Sequence, residues 1–191
     1  LGIWWERIVG ANGDRVRQDA LLRIGASALS ARSGQLATRG IAPSVLGALE
    51  GDAILQRDAD SDTYRFRHDI LEEWTMCRVL GQHEAGLVDF LRSLGEPYWA
   101  TEALQLLAAD RLEHDASGER WRALLTQMEN AGNCPGSYVL AALTASLRSA
   151  RSGECLPIIQ TDLLEGDGNR LIAFLRAMRT RYIVPNLMVE Q

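Results

Sequence analysis

The sequence predicts a mainly α-helical protein with one small β-hairpin in its first half. Three observations predict it. Apolar residues recur at helical spacing over most of the 191 residues. Two short strand-like runs, Ala53 to Arg57 and Thr63 to Arg67, flank an acidic loop rich in turn formers. After Gly81 the pattern is helical only, broken at Gly, Pro and Asn.

The elements follow in order. Residues 3–9, IWWERIV, read as the tail of a helix belonging to a preceding lid, and Asn12-Gly13-Asp14 breaks it. Asp14 can cap a helix over 15–32, whose stripe is Leu21, Leu22, Ile24, Ala28 and Leu29. Ser33-Gly34 stops it. Pro43 suits the first turn of a helix over 43–50, and Gly51 ends that one. The run from Ala53 to Arg57 is an apolar strand. The turn-rich loop Asp58 to Asp62 leads to a second strand, where Tyr64 and Phe66 face one side and Arg65 and Arg67 the other. A helix follows over 69–83. Asp69 and Glu72 stand there at capping-box spacing, with Asp in the Ser/Thr position. Ile70, Leu71, Trp74, Cys77, Val79 and Leu80 form its apolar side; Glu72, Glu73 and Arg78 face away. Helix, helix, strand, acidic loop, strand is the order of a winged helix-turn-helix.

Further helices read at 85–94, 98–114, 117–131, 136–150, 154–164 and 168–182. Helices of this length joined by short turns pack as antiparallel neighbours. Two per unit gives a period of roughly 35–40 residues, the range of helical solenoid repeats. The repeats share no clear consensus, so a compact bundle stays open as the alternative. The expected organisation is 1–11 as the end of a preceding helical lid, 12–83 as a winged-helix domain, and 84–191 as an α-helical repeat or bundle domain.

Composition narrows the function. The chain is 47% hydrophobic and 24% charged, enough for a core without covalent staples. Its three cysteines are odd in number and show no C-x-x-C spacing. That argues against a disulfide framework or zinc site and fits a reducing cytoplasm. All 20 basic residues are Arg. Without Lys there is no Schiff base and no P-loop lysine. Residues 1–83 carry 10 Arg against 11 acids, and residues 84–191 carry 10 Arg against 14 acids. Neither half is a basic nucleic-acid footprint. No apolar run approaches a membrane helix. The start Leu-Gly-Ile-Trp-Trp has no initiator Met and no signal-peptide pattern, and reads as a piece of a longer protein.

The stretch YRFRHDILEEW, residues 64–74, begins as a strand and finishes as a helix, with His68 and Asp69 at the junction. The pair could do chemistry, contact a ligand, or only start a helix. Asp69 reads chiefly as the helix starter, with Glu72 as its box partner. His83 and His114 lie near helix ends, where a cationic side chain suits the dipole. Arg65 and Arg67 read as a solvated strand face. Glu72 and Glu73 point apart, which speaks against a carboxylate dyad. There is no G-x-S-x-G nucleophile elbow. The helix that would read DNA, PSVLGALE, has no Arg, Asn or Gln to address bases. A winged-helix DNA-binding regulator with a helical effector domain is therefore the alternative reading, carried by element order alone.

Phe66 to Leu71, followed by an amphipathic helix, resembles the end of the winged-helix domain in STAND-type P-loop ATPases, which include the NB-ARC and NACHT signalling ATPases and bacterial relatives. There a strand ends in a Met-His-Asp-Leu-like motif. Here Arg67 stands in place of Met, His68 and Asp69 match, and Ile70-Leu71 replace the apolar pair. The resemblance covers residues 1–83, and 84–191 only in architecture. It implies that His68 contacts the β-phosphate of ADP in a closed, inactive state, and that Asp69 supports the helix start. It further implies a non-catalytic, cytoplasmic, regulatory segment of a larger ATPase. Such a segment holds no cofactor itself, the full-length protein binding ADP or ATP. Its partners would be its own upstream nucleotide-binding domain and a protein bound by the helical part, with no membrane. The chain has no G-x-x-x-x-G-K-[ST], so it cannot bind nucleotide in the family's way alone.

Overall fold

A computed structural model describes residues 5, 15–30, 36–58, 63–149, 151–165 and 167–182. It is mainly helical, with a two-stranded antiparallel sheet. The chain forms two compact units, 1–103 and 104–191, so the first runs past His83, the expected edge of the winged-helix segment.

In the first unit, α1 (Arg15–Ser30) buries Ala20, Leu21, Ile24, Gly25, Ala28 and Leu29, positions three and four apart that share one face. The expected cap, Asp14, lies outside the described residues, as does all of the expected 3–9 helix except Trp5. Helix α2 (Pro43–Gly51) starts on its proline, which needs no N–H partner there. It ends in a reversal at Ala53, whose φ of +58° lies in the left-handed region. The Ala53 and Ile54 N–H groups donate to the carbonyls of Glu50 and Leu49, each at 2.9 Å, which turns the chain into β1 (Leu55–Arg57). That strand pairs antiparallel with β2 (Tyr64–Phe66), Leu55 opposite Phe66 and Arg57 opposite Tyr64. Leu36 bridges to Tyr64 through a 3.3 Å hydrogen bond. A two-stranded hairpin alone is marginal in water. Here Ile54, Leu55 and Phe66 are buried, while α2 packs on β1 and α3 (Asp69–Gly81) on β2.

Helix α3 also packs along α1. A Cβ built on Gly25 would lie 2.7 Å from Thr75 Cγ2 and 3.2 Å from the Thr75 carbonyl oxygen, so the crossing requires glycine. The inner face of α3 is Leu71, Thr75, Met76, Cys77, Val79 and Leu80. Thr75 belongs there because its hydroxyl donates to the Leu71 carbonyl at 2.7 Å and leaves no polar group unmet. Ile70, expected on this face, is instead 45% exposed. Trp5 is buried, with the Arg78 guanidinium 5.5 Å from its ring centroid. The unit continues through a 3-10 turn (Glu84–Gly86), α4 (Leu87–Leu94) and the start of α5 (Tyr98–Glu113). Trp99 Nε1 donates to the Leu29 carbonyl at 3.1 Å, tying α5 to the end of α1.

The second unit holds the rest of α5, then α6 (Glu119–Asn130), α7 (Gly136–Leu143), a 3-10 turn (Ala145–Leu147), α8 (Ser152–Leu164) and α9 (Asn169–Tyr182). Helix α6 packs on α7, α8 on α9, and α9 also on α7. Trp121 and Tyr138 are fully buried, and Trp121 Nε1 donates to the Ala142 carbonyl at 2.8 Å. The helix expected over 136–150 stops at Leu143. There the buried Gln105 amide donates to both the carbonyl (3.0 Å) and the hydroxyl (2.9 Å) of Thr144, and the α ladder tightens into the 3-10 turn. Arg122 clamps α6 to α8. Its Nε donates to both Asp162 carboxylate oxygens at 2.9 Å, and its two terminal nitrogens reach the carbonyls of Ser117 and Ile158. No helix among the described residues is long and apolar enough to cross a membrane.

Candidate functional site

The junction between β2 and α3 is built by two periods meeting at one residue. Along β2 the side chains alternate, so Phe66 goes to the core while Arg65 and Arg67 stay exposed. The Arg67 N–H still donates to the Ile54 carbonyl at 3.0 Å, extending the hairpin by one rung. His68 keeps extended backbone, φ −137° and ψ 136°, and Asp69 begins the helix. His68 therefore occupies the cap position itself, with its carbonyl accepting from the Leu71 N–H at 3.0 Å and no side-chain cap hydrogen bond.

This corrects the expected capping box. The reciprocal pair needs a cap residue and a partner three positions on. With His68 as the cap, that partner position is Leu71, which cannot hydrogen-bond back. Asp69 and Glu72 both fall inside the first turn, where their charge complements the positive end of the helix dipole. Glu72 is half-buried, and desolvation pushes its carboxyl above the ordinary range, with Asp69 and Glu73 adding repulsion.

His68, Arg65, Arg67 and Asp69 are thus all exposed within five residues of chain, around one strand-to-helix turn. Arg65 and Arg67 bring positive charge to this turn and Asp69 brings negative charge. The helix end itself already carries carboxylates. The His68 side chain has no hydrogen-bond partner among the described residues. The other histidines are engaged: His83 stacks on Phe90 at 3.9 Å between centroids, and His114 Nδ1 lies 2.9 Å from the Asp110 carbonyl oxygen.

Two concave surfaces escaped the sequence reading. In the first unit an open groove of about 650 Å³ lies between α1, the Gly40 turn and the end of α3, with Asp19, Arg23 and His83 among its walls. In the second unit a groove of about 430 Å³ runs between α8 and α9 and is almost wholly apolar. Helical periodicity had marked the apolar stripes. It could not say which stripe would find a neighbour. Among the described residues no three His, Cys, Asp or Glu side chains gather as metal ligands. Cys77 and Cys155 are buried and Cys134 half-buried, all as free thiols. Comparison with protein-family models, curated proteins and solved structures finds no match.

Proposed function

We propose that this chain is a non-catalytic regulatory segment of a larger STAND-like signalling ATPase. The first unit would act as a winged-helix module that docks on an upstream nucleotide-binding domain, with His68 facing the bound ADP. The second unit would contact a protein partner through stacked helix pairs. The observation that carries this reading is the β2–α3 junction: an exposed imidazole at the helix cap, between exposed arginines and a helix dipole, with no internal task to perform. The succession α1, α2, β1, β2, α3, with Leu36 adding a bridge to the hairpin, supports the winged-helix assignment. The pairing of α6 with α7 and α8 with α9, and the contact of α9 with α7, supports a stacked-repeat arrangement.

DNA binding is the weaker alternative. The exposed positions of α2 are Pro43, Ser44, Gly47, Ala48, Glu50 and Gly51, which offer no bidentate base donor and one repelling charge.

The test is His68→Ala in the full-length protein. A hydrogen bond to a charged group is worth about 1.5–3 kcal/mol, so ADP affinity should fall roughly ten- to hundredfold and basal activity should rise. ADP retention and basal activity both equal to wild type would sink the assignment.

A further inference from the structure

The groove of the first unit has walls of two kinds. Its floor is apolar: Ala20 and Val79 are buried there, with Leu22, Ile41 and Val45 half-buried around them. Its α1 wall carries opposite charges. Asp19 and Arg23 stand one turn apart on that wall, and both are exposed. Neighbours at this spacing can pair with each other. Here they do not. Arg23 reaches across to the Gly40 turn, where its guanidinium lies 3.5 Å from the Gly40 carbonyl oxygen. Asp19 is left with no hydrogen-bond or ion-pair partner among the described residues. One long contact leaves the guanidinium with N–H donors to spare. Gln82, at the end of α3, adds a primary amide that both donates and accepts. His83 beside it is held in place by its stack on Phe90.

We propose that this groove binds a short peptide with free ends and apolar side chains, of dipeptide size. Each part of such a ligand has a counterpart among the lining residues. The Asp19 carboxylate receives the ammonium, and the planar guanidinium of Arg23 receives the carboxylate. The Gln82 amide matches the peptide unit between them. The apolar floor covers the side chains, which is where most of the binding free energy arises. Length selects the class. Four residues of α-helix rise about 6 Å, and two extended residues span at most about 7 Å. A single amino acid holds its two charges too close together to serve both groups, and a longer peptide overshoots. A groove of about 650 Å³ also lies within the usual range for small-molecule sites. A wholly apolar molecule would desolvate Asp19 and Arg23 without replacing their water. A phosphate ester would set like charge against Asp19. The inference goes beyond the proposed function and depends on neither His68 nor the second unit.

The experiment uses the whole 191-residue chain, labelled for heteronuclear NMR, and follows backbone amide shifts as peptide is added. The probe is the dipeptide Leu-Leu. Three controls each remove one feature: N-acetyl-Leu-Leu lacks the ammonium, Leu-Leu amide lacks the carboxylate, and Gly-Gly lacks the apolar side chains. Leu-Leu should bind saturably, with shifts centred on the exposed face of α1, the Gly40 turn and the end of α3. Each control should bind at least about tenfold more weakly, the effect of losing a hydrogen bond to a charged group or the burial of the side chains. Asp19→Asn should lower Leu-Leu to the affinity that N-acetyl-Leu-Leu has for the wild type. Arg23→Gln should lower it to that of Leu-Leu amide. Both positions are exposed, and an unchanged spectrum away from the groove shows that the variants fold. No saturable binding, or shifts centred on another surface, would overturn the proposal. So would capped peptides that bind as tightly as Leu-Leu, or an Asp19→Asn or Arg23→Gln protein that binds Leu-Leu as the wild type does. Failure here leaves ADP retention in the His68→Ala protein untouched, so the two readings fail separately.

Discussion

Asp115 shows how much one exposed side chain can organise. Its carboxylate accepts from the Ser117 N–H (3.0 Å), the Ser117 hydroxyl (2.6 Å) and the Arg120 N–H (2.8 Å), closing the turn that opens α6. The Arg120 N–H bond, then the Ser117 hydroxyl, hold this carboxyl below the ordinary aspartate range. A depressed folded-state pKa contributes stability that is complete above the unfolded value, about 3.9, and is lost as pH falls through the folded value. Asp115→Asn should therefore flatten the acid limb of the stability profile. Thermal melts from neutral pH down to strongly acidic pH will check this, and parallel wild-type and variant curves would contradict it. His68 makes the complementary point. Its position at a strand-to-helix switch was legible, because alternation ends and helical spacing begins within two residues. Its role as the cap was not legible. A good capping residue stood next to it, and only the backbone dihedrals decide between neighbours.

At the scale of elements, the α1–α3 crossing depends on a residue that periodicity ignores. Gly25 is buried among leucines and isoleucine, yet its value is the absence of a side chain. Gly25→Ala gains helix propensity of about 1 kcal/mol. Against that, the added methyl meets a β-branched buried neighbour and a backbone oxygen, and overpacking of this kind costs about 1–3 kcal/mol. Net destabilisation by up to about 2 kcal/mol is expected from urea unfolding. A variant as stable as wild type would mean that the helices separate freely. Most helix and strand positions were readable because amphipathic spacing is a local property. Ile70 was misread because a helix's first turn can follow the stripe and still project past the neighbour it should cover. The early end of α7 was unreadable for another reason: the Gln105 amide that meets Thr144 comes from far along the chain.

For the whole molecule, charge is a distribution as much as a total. Acids outnumber arginines, and the isoelectric point is near 5.3. Solubility should be lowest close to that pH and recover on either side, measured as protein left in solution after incubation across a pH series. A minimum at neutral pH would point to association driven by the apolar α8–α9 face instead. The limits of the two compact units were not written in composition. The helical pattern begins after Gly81, but which helices cluster with which is set by contacts between distant segments, and the first unit keeps α4. Element types were legible from near neighbours, and their grouping was not.

The hairpin and its exit also constrain how this chain can change by insertion and deletion. Between Phe66 and Leu71 there is no slack: one residue closes the strand, one caps, and the helix begins. An extra residue there would flip the following strand position to the opposite face or turn the helix by about 100°. Phe66 and Leu71 could no longer both be buried. Length variation is therefore expected to be purged from the stretch between Phe66 and Leu71.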